Sequence, residues 1–305
     1  MKLILDLDTG IDDAFALAYA LASPEVELIG VTGTYGNVTV ADGVRNTLAL
    51  LELFGRPDIP VYPGPQREGF EVAEISAFIH GANGLGEVEL PAPATGPAGS
   101  AVEFLIDAVR THPDLVIVPT GPSTSIAAAL DDDHFAEHAR IVMMGGALTV
   151  PGNVRPWAEA NVWQDPEATN EVFRRARHVT MIGLDVTLKT LLTRTETAQW
   201  RALGTPGGTM LADAADHYIG AYATTSPHLG GCGLHDPLAV AVAIDPSLVE
   251  CLALPMQVDV AGETRGRTIG DLSRQGPLVN VAVGVDVERF LGAFLSRLTR
   301  LAANT

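Results

Sequence analysis

The chain is 305 residues long, 47% hydrophobic and 18% charged, and its 19 lysines and arginines face 37 aspartates and glutamates, for a formal net charge of −18. Such a composition excludes wholesale disorder, and the length suffices for one large α/β domain or two smaller ones. A surface this acidic repels nucleic-acid backbones and anionic membranes, so no partner of either kind is expected and small neutral or metal-chelated substrates remain.

In the first stretch a short apolar run feeds Asp6, Asp8, Asp12 and Asp13, and small apolar residues from Ala14 to Ala22 follow at once. This reads as a buried strand, a tight turn at Gly10 and a helix whose first turn carries Asp12 and Asp13. The helix dipole accounts for one or two such acids. Four carboxylates gathered at a strand end repel one another unless a cation sits among them, and a hard, oxygen-seeking ion such as Ca²⁺ or Mg²⁺ is the natural neutraliser.

Val26 to Thr34 reads as a second strand, with Tyr35-Gly36-Asn37-Val38 as its exit turn, followed by a helix from Val40 to Phe54 and a short strand from Ile59 to Tyr62. Alternating apolar runs and amphipathic helices imply a parallel sheet covered on both faces, whose strand exits share one edge. Ligands bind at that edge in open α/β sheets. Gln66 to Ser100 breaks the rhythm with many Gly, Pro and Ala residues and reads as a loop reaching over it. Its composition does not separate two autonomous halves, so residues 1–305 are expected to form one domain.

A helix from Ala101 to Thr111, a strand from Leu115 to Pro119, a helix from Ile126 to Leu130 and a strand from Arg140 to Met144 restore the alternation. Pro151 to Asp165 reads as irregular and polar, before a helix from Pro166 to Ala176 and a strand from Val179 to Asp185. Two helices are expected within Thr193 to Ala223. After the Gly- and Thr-rich turn Thr224 to Leu234, Asp236 reads as an N-cap with Pro237 at the first helical position. Strand-like runs from Leu252 to Val260 and from Leu278 to Val285 lead to a last helix from Val287 to about Ala302. Its stripe of Phe290, Leu291, Phe294, Leu295, Leu298 and Leu301 reads as core or a subunit contact.

No stretch approaches the ~20 apolar residues of a membrane span, and no signal-peptide pattern opens the chain. Cys232 and Cys251 are too few and too far apart for a zinc cluster and read as free thiols. A cytoplasmic protein is expected.

The stretch Asp6-Leu7-Asp8-Thr9-Gly10-Ile11-Asp12-Asp13-Ala14 resembles the N-terminal signature of the inosine/uridine-preferring nucleoside hydrolases. The similarity recurs in order at Gly36-Asn37-Val38, His80-Gly81, Thr120-Gly121-Pro122, Met143-Met144-Gly145-Gly146, Pro151-Gly152-Asn153, Ala158-Glu159-Ala160-Asn161, Asp165-Pro166-Glu167-Ala168 and His235-Asp236-Pro237-Leu238. It therefore covers almost the whole chain. It implies an α/β, Rossmann-like nucleoside hydrolase fold with an open, mostly parallel central sheet, and calcium-dependent cleavage of the N-glycosidic bond of ribonucleosides by a homodimer or homotetramer.

By position, the resemblance implies Ca²⁺ held by Asp8, Asp13, Asp236 and the backbone carbonyl of Thr120, an all-oxygen set of the kind that ion prefers. Asp8 would be the general base for the attacking water and His235 the acid that assists the departing nucleobase. Asp12, Asn37, Met144, Asn153, Glu159 and Asn161 would hold the ribose, and His80 would line the same pocket. Three departures stand out: Thr9 replaces a common proline, Ala160 stands where many relatives carry an aromatic residue, and Thr224 to Leu234 offers no aromatic group to stack on a purine, a role left to Trp157 and Trp163.

Three rival readings compete. Asp6-Leu7-Asp8-Thr9 also resembles the nucleophile motif of magnesium phosphatases of the haloacid dehalogenase type, but that chemistry needs cationic groups and the only lysines are Lys2 and Lys189. A Cys232–His235 hydrolase lacks an orienting third group. A catalytically silent ribonucleoside-binding protein is opposed by the presence of Asp8 and His235.

Overall fold

A computed structural model describes residues 1–305. The chain opens with β1 (Lys2–Leu7), α1 (Ile11–Ala22), β2 (Glu27–Gly33), α2 (Val40–Leu53) and β3 (Val61–Pro63), then α3 (Glu74–His80) and α4 (Ala101–Thr111). β4 (Val116–Pro119), α5 (Thr124–Ala129), α6 (Asp133–His138) and β5 (Arg140–Met144) follow. Next come α7 (Ala160–Gln164), α8 (Pro166–Arg175), β6 (His178–Ile182), the single turn α9 (Leu184–Thr187), β7 (Leu191–Leu192), α10 (Arg194–Arg201) and α11 (Pro206–Thr225). The last third holds β8 (Cys232–Gly233), α12 (His235–Ile244), β9 (Val249–Leu254), β10 (Met256–Val258), β11 (Thr268–Gly270), β12 (Val279–Val285) and α13 (Val287–Ala302).

Eight strands form one sheet in the order β3-β2-β1-β4-β5-β6-β12-β9, parallel throughout except for β9, which runs antiparallel to β12 at one edge. Parallel strands covered on both faces must be apolar on both, and β1 obeys: Leu3, Leu5 and Leu7 point into a cluster of 54 buried residues, Ile4 into a second of 23. α1 packs against α11, α12 and α13 and shares the larger cluster with β1, which is why its residues are buried continuously from Ile11 to Ala20. The chain runs outward from β1 through β2 to β3, then returns to β4 on the other side of β1. The crevice at this reversal, beyond the carboxyl ends of β1 and β4, is where open sheets admit ligands.

The core elements fall where the periodicity places them, with β5 and α13 spanning the expected residues. Five readings need correction. Pro151 to Asp165 is not wholly irregular, since Ala160–Gln164 is helical. The segment Gln66 to Ser100 is not all loop, since Glu74–His80 is helical. β6 stops at Ile182, because Gly183 starts the turn α9 and Asp185 turns back to accept hydrogen bonds from the Leu148 and Thr149 N–H groups. Leu252 to Val260 is two strands, broken at Pro255, with β10 pairing β11 outside the main sheet. Asp236 is not an N-cap: α12 starts at His235 after Leu234, which leaves the Asp236 carboxylate free for other work.

Candidate active site

β1 delivers Asp8 at the crevice and Gly10 turns the chain into α1. A Cβ at Gly10 would stand 2.6 Å from His80 Nδ1 and 2.7 Å from Asn37 Nδ2, so only glycine lets these side chains close over the turn. A Cβ at Gly36 would collide with the Asp8 carboxylate. Asp8 Oδ2 accepts the Asn37 N–H at 2.7 Å, while Oδ1 is buried without a partner. Asp13, at the third position of α1, reaches back to accept the Gly10 N–H at 2.8 Å and accepts the Thr120 hydroxyl at 2.6 Å, tying the exits of β1 and β4 together. Asp12 Oδ2 accepts the Tyr218 hydroxyl at 3.2 Å, and its buried Oδ1 has no hydrogen-bond partner.

α12 brings Asp236 to the same place, and ligand oxygens of Asp12, Asp13 and Asp236 lie within 4.8 Å of one another. No lysine or arginine pairs with any of these acids, and the imidazole of His80, whose Nδ1 is 3.8 Å from Asp12, is neutral. Burial pushes the Asp12 carboxyl up to about 8, with Asp13 adding to the shift. Asp8 and Asp236 are driven well above the usual carboxylate range by burial and by neighbouring acids. The N-termini of α1 and α12 offset only part of this repulsion. A divalent cation fits: the three clustered donors are all carboxylates, Asp12 among them has a buried, unpartnered oxygen, Asp8 outside the group has a second, and the site holds an excess of negative charge.

Above these acids is a cavity of about 320 Å³ lined by Asp12, Asn37, His80, Thr120, Met144, Asn153, Glu159, Asn161, His235 and Asp236. Every site residue named from the sequence is therefore at the cavity or, for Asp8 and Asp13, fully buried against the lining residues Asn37 and Thr120. Glu159 caps α7 and accepts N–H bonds from Gly146, Asn161 and Val162, so most of its bonding holds the wall in shape. Asn161 donates to the Thr120 carbonyl at 2.6 Å and to Met144 at 3.3 Å, and Asn153 accepts the Ala160 N–H at 3.0 Å.

The two histidines are both buried. His80 Nδ1 accepts the Ile11 N–H at 3.1 Å, which leaves the ring proton on Nε2, and burial brings its pKa down to about 3. His235 is held from both sides, with Nε2 2.6 Å from the Tyr222 hydroxyl and Nδ1 2.7 Å from the Thr187 hydroxyl, and burial brings it down to about 4. Both rings are neutral near pH 7.

Tyr218, Tyr222 and Thr187 escape a reading of the sequence. The tyrosines lie four apart on one face of α11, a spacing that reads as core packing, and reach the site from 206 and 13 residues away. They supply the aromatic surface that Thr224 to Leu234 lacks. Trp157 and Trp163 are not among the cavity-lining residues, and Trp163 lies under the Arg155 guanidinium at 4.8 Å. Ala160 does line the cavity, as do Ile75 and Ile79 of α3. Cys232 is buried with its thiol pushed up by burial and bonds no histidine, which removes the Cys–His reading. Lys2 pairs with Glu27 and Lys189 contacts the Val283 carbonyl, so neither serves a phosphoryl group at the cavity. No helix is long and apolar enough to cross a membrane.

The profile of a family described as inosine-uridine preferring nucleoside hydrolase matches residues 3–292. Pyrimidine-specific ribonucleoside hydrolase RihA from Salmonella agona is 37% identical over 306 residues, covering 98% of both chains. Among solved structures, a purine-preferring ribonucleoside hydrolase from Gardnerella vaginalis is 58% identical with a TM-score of 0.97 over 100% of both chains. A plant nucleoside hydrolase is 34% identical with a TM-score of 0.91 over 98% of both.

Proposed function

Because the chain belongs to the inosine-uridine preferring nucleoside hydrolases and is an N-glycosidase acting on ribonucleosides, we propose that its activity depends on a calcium ion held at the acidic cluster. Asp8, Asp13, Asp236 and the Thr120 carbonyl would hold the ion, and Asp12, which faces the cavity, would take a sugar hydroxyl. Such an ion, when bound, lowers the pKa of a water and grips a vicinal diol through oxygen. The observation that carries the proposal is the pair of buried, unpartnered oxygens, Asp8 Oδ1 and Asp12 Oδ1, among acids that no lysine or arginine approaches.

In this reading Asp8 Oδ1 takes the proton of the attacking water as it adds to C1′. Cleavage develops oxocarbenium character in the sugar and negative charge on the departing base. Asn37, Asn153, Glu159, Asn161 and the Met144 carbonyl grip the ribose, concentrating binding where positive charge develops. The base departs between Ile75, Ile79, Tyr218 and Tyr222, which line the cavity. His235 is neutral and held between the Thr187 and Tyr222 hydroxyls, so in this reading it positions Tyr222, whose hydroxyl gives its proton to the departing base and is reprotonated from solvent, matching the water proton that Asp8 later releases. His80, with its proton on Nε2, donates toward the pocket.

Purine ribonucleosides rank first as substrates in this proposal, supported by the 58% identity to a relative described as purine-preferring and by the room left beside Ala160. A cytoplasmic homodimer or homotetramer completes it, to be read from sedimentation. The functional test is release of free base from inosine, adenosine, uridine and cytidine, before and after chelation and with calcium restored. Activity that survives exhaustive chelation would exclude the ion's role. Phosphate released from a phosphate ester would support the phosphatase reading instead.

A further inference from the structure

The opposite end of the sheet carries the reverse charge. Where β4, β5, β6 and β12 begin, a groove of about 830 Å³ runs between α4 and α6 on one side and α12 on the other. Six cationic or imidazole side chains line it: Arg110, Arg140, Arg177, His134, His138 and His178. None of the chain's 37 acidic residues does, although the protein as a whole is at −18. Its floor is apolar, with Val116, Val142, Val179 and Val242.

Two of the six have a structural reason to be there. Arg110 and His138 occupy the last turns of α4 and α6, where a cation offsets the helix dipole, and Arg110 also pairs with Asp132. Arg177 reaches Glu137 at 3.7 Å. Arg140 has no such explanation: it opens β5, is exposed, and makes no side-chain hydrogen bond or ion pair. Its free guanidinium, lining the same groove as Arg177, has the planar fork that takes a phosphate oxygen pair bidentately. In a protein whose overall field repels anions, a groove lined by these side chains and by no acid is a place where an anion gains on approach.

We propose that this groove binds a small phosphate-bearing anion, remote from the nucleoside site. Inorganic phosphate and a nucleoside monophosphate share the chemistry that Arg140 and Arg177 recognise, and the apolar floor adds a surface for the base of the latter. The test is calorimetric titration of the calcium-loaded protein with inorganic phosphate and, separately, with adenosine 5′-monophosphate. It is run on wild type, on the Arg140→Glu/Arg177→Glu double variant, and on an Asn37→Ala variant that weakens the nucleoside site. Binding that falls at least about tenfold in the double variant and persists in Asn37→Ala is the expected result, one charge-assisted contact being worth about that factor. Tighter binding of the monophosphate than of phosphate identifies the nucleotide as the occupant; equal binding identifies the phosphate. No measurable binding of either probe, or binding unchanged in the double variant, overturns the proposal. Because the double variant is built on exposed side chains far from the nucleoside site, its hydrolysis of nucleosides is expected to match wild type, so failure here is distinguishable from failure of the enzymatic reading.

Discussion

The two ends of one sheet have opposite electrostatics. At the carboxyl ends of β1 and β4, acids are buried with no lysine or arginine among them. At the amino ends of β4, β5 and β6, arginines and histidines gather with no acid lining the groove. The first arrangement is costly by itself, since burial, with repulsion from neighbouring acids, drives three of its carboxyls upward. The second is exposed and costs little. The contrast teaches where function concentrates: strain held inside a rigid scaffold requires a compensating ligand, whereas solvated charge needs none to persist.

The largest expected effect breaks the acidic end. Asp8→Asn retains shape but not basicity, and kcat is expected to fall about 10³-fold, in the range seen on losing a general base; steady-state release of base from inosine checks it, and a variant keeping most of its rate removes Asp8 from the role. Next is the coupling of ion, pH and stability. Asp6 and Asp12 have folded pKa values raised to about 7 and about 8. A raised carboxyl pKa gives stability that is fully present below the unfolded value near 4 and is lost as pH rises through 7 to 8. The ion-free protein is therefore expected to lose Tm from pH 5 to pH 8, and added calcium to restore more at pH 8 than at pH 5. A calcium-induced rise in Tm that is equal at both pH values would contradict this.

A smaller effect tests the Thr187–His235–Tyr222 chain. Tyr222→Phe and Thr187→Val each remove one hydrogen bond to His235 and are expected to slow natural nucleosides about tenfold. A riboside with an activated phenolate leaving group should be slowed much less; equal slowing would give these residues a packing role alone. The smallest effect lies at the basic end, where Arg140→Gln is expected to leave nucleoside turnover within about twofold of wild type, as for an exposed residue far from the chemistry. A larger loss would mean that the two ends are not separate.

The acidic end was legible because its signal is local: Asp6, Asp8, Asp12 and Asp13 stand within eight positions at a strand exit. The α/β alternation was legible because periods of 2 and 3.6 repeat along the chain. The remainder depends on distance in sequence. Tyr218 meets Asp12 across 206 residues, and Thr187 meets His235 across 48, contacts that no local pattern encodes. α3 hides in a Gly- and Pro-rich segment because seven residues are too few to establish a period. The antiparallel edge strand β9 reads like any apolar run, and the basic groove is assembled from elements scattered between Val109 and Asn280.

The most direct measurement is a crystal structure of the protein grown with calcium and ribose. One ion coordinated by Asp8, Asp13, Asp236 and the Thr120 carbonyl at about 2.3–2.6 Å, with both ring hydroxyls completing its shell, is the expected result. An ion bound elsewhere, or these acids separated around an ordered lysine-free pocket that stays metal-free at saturating calcium, would contradict it.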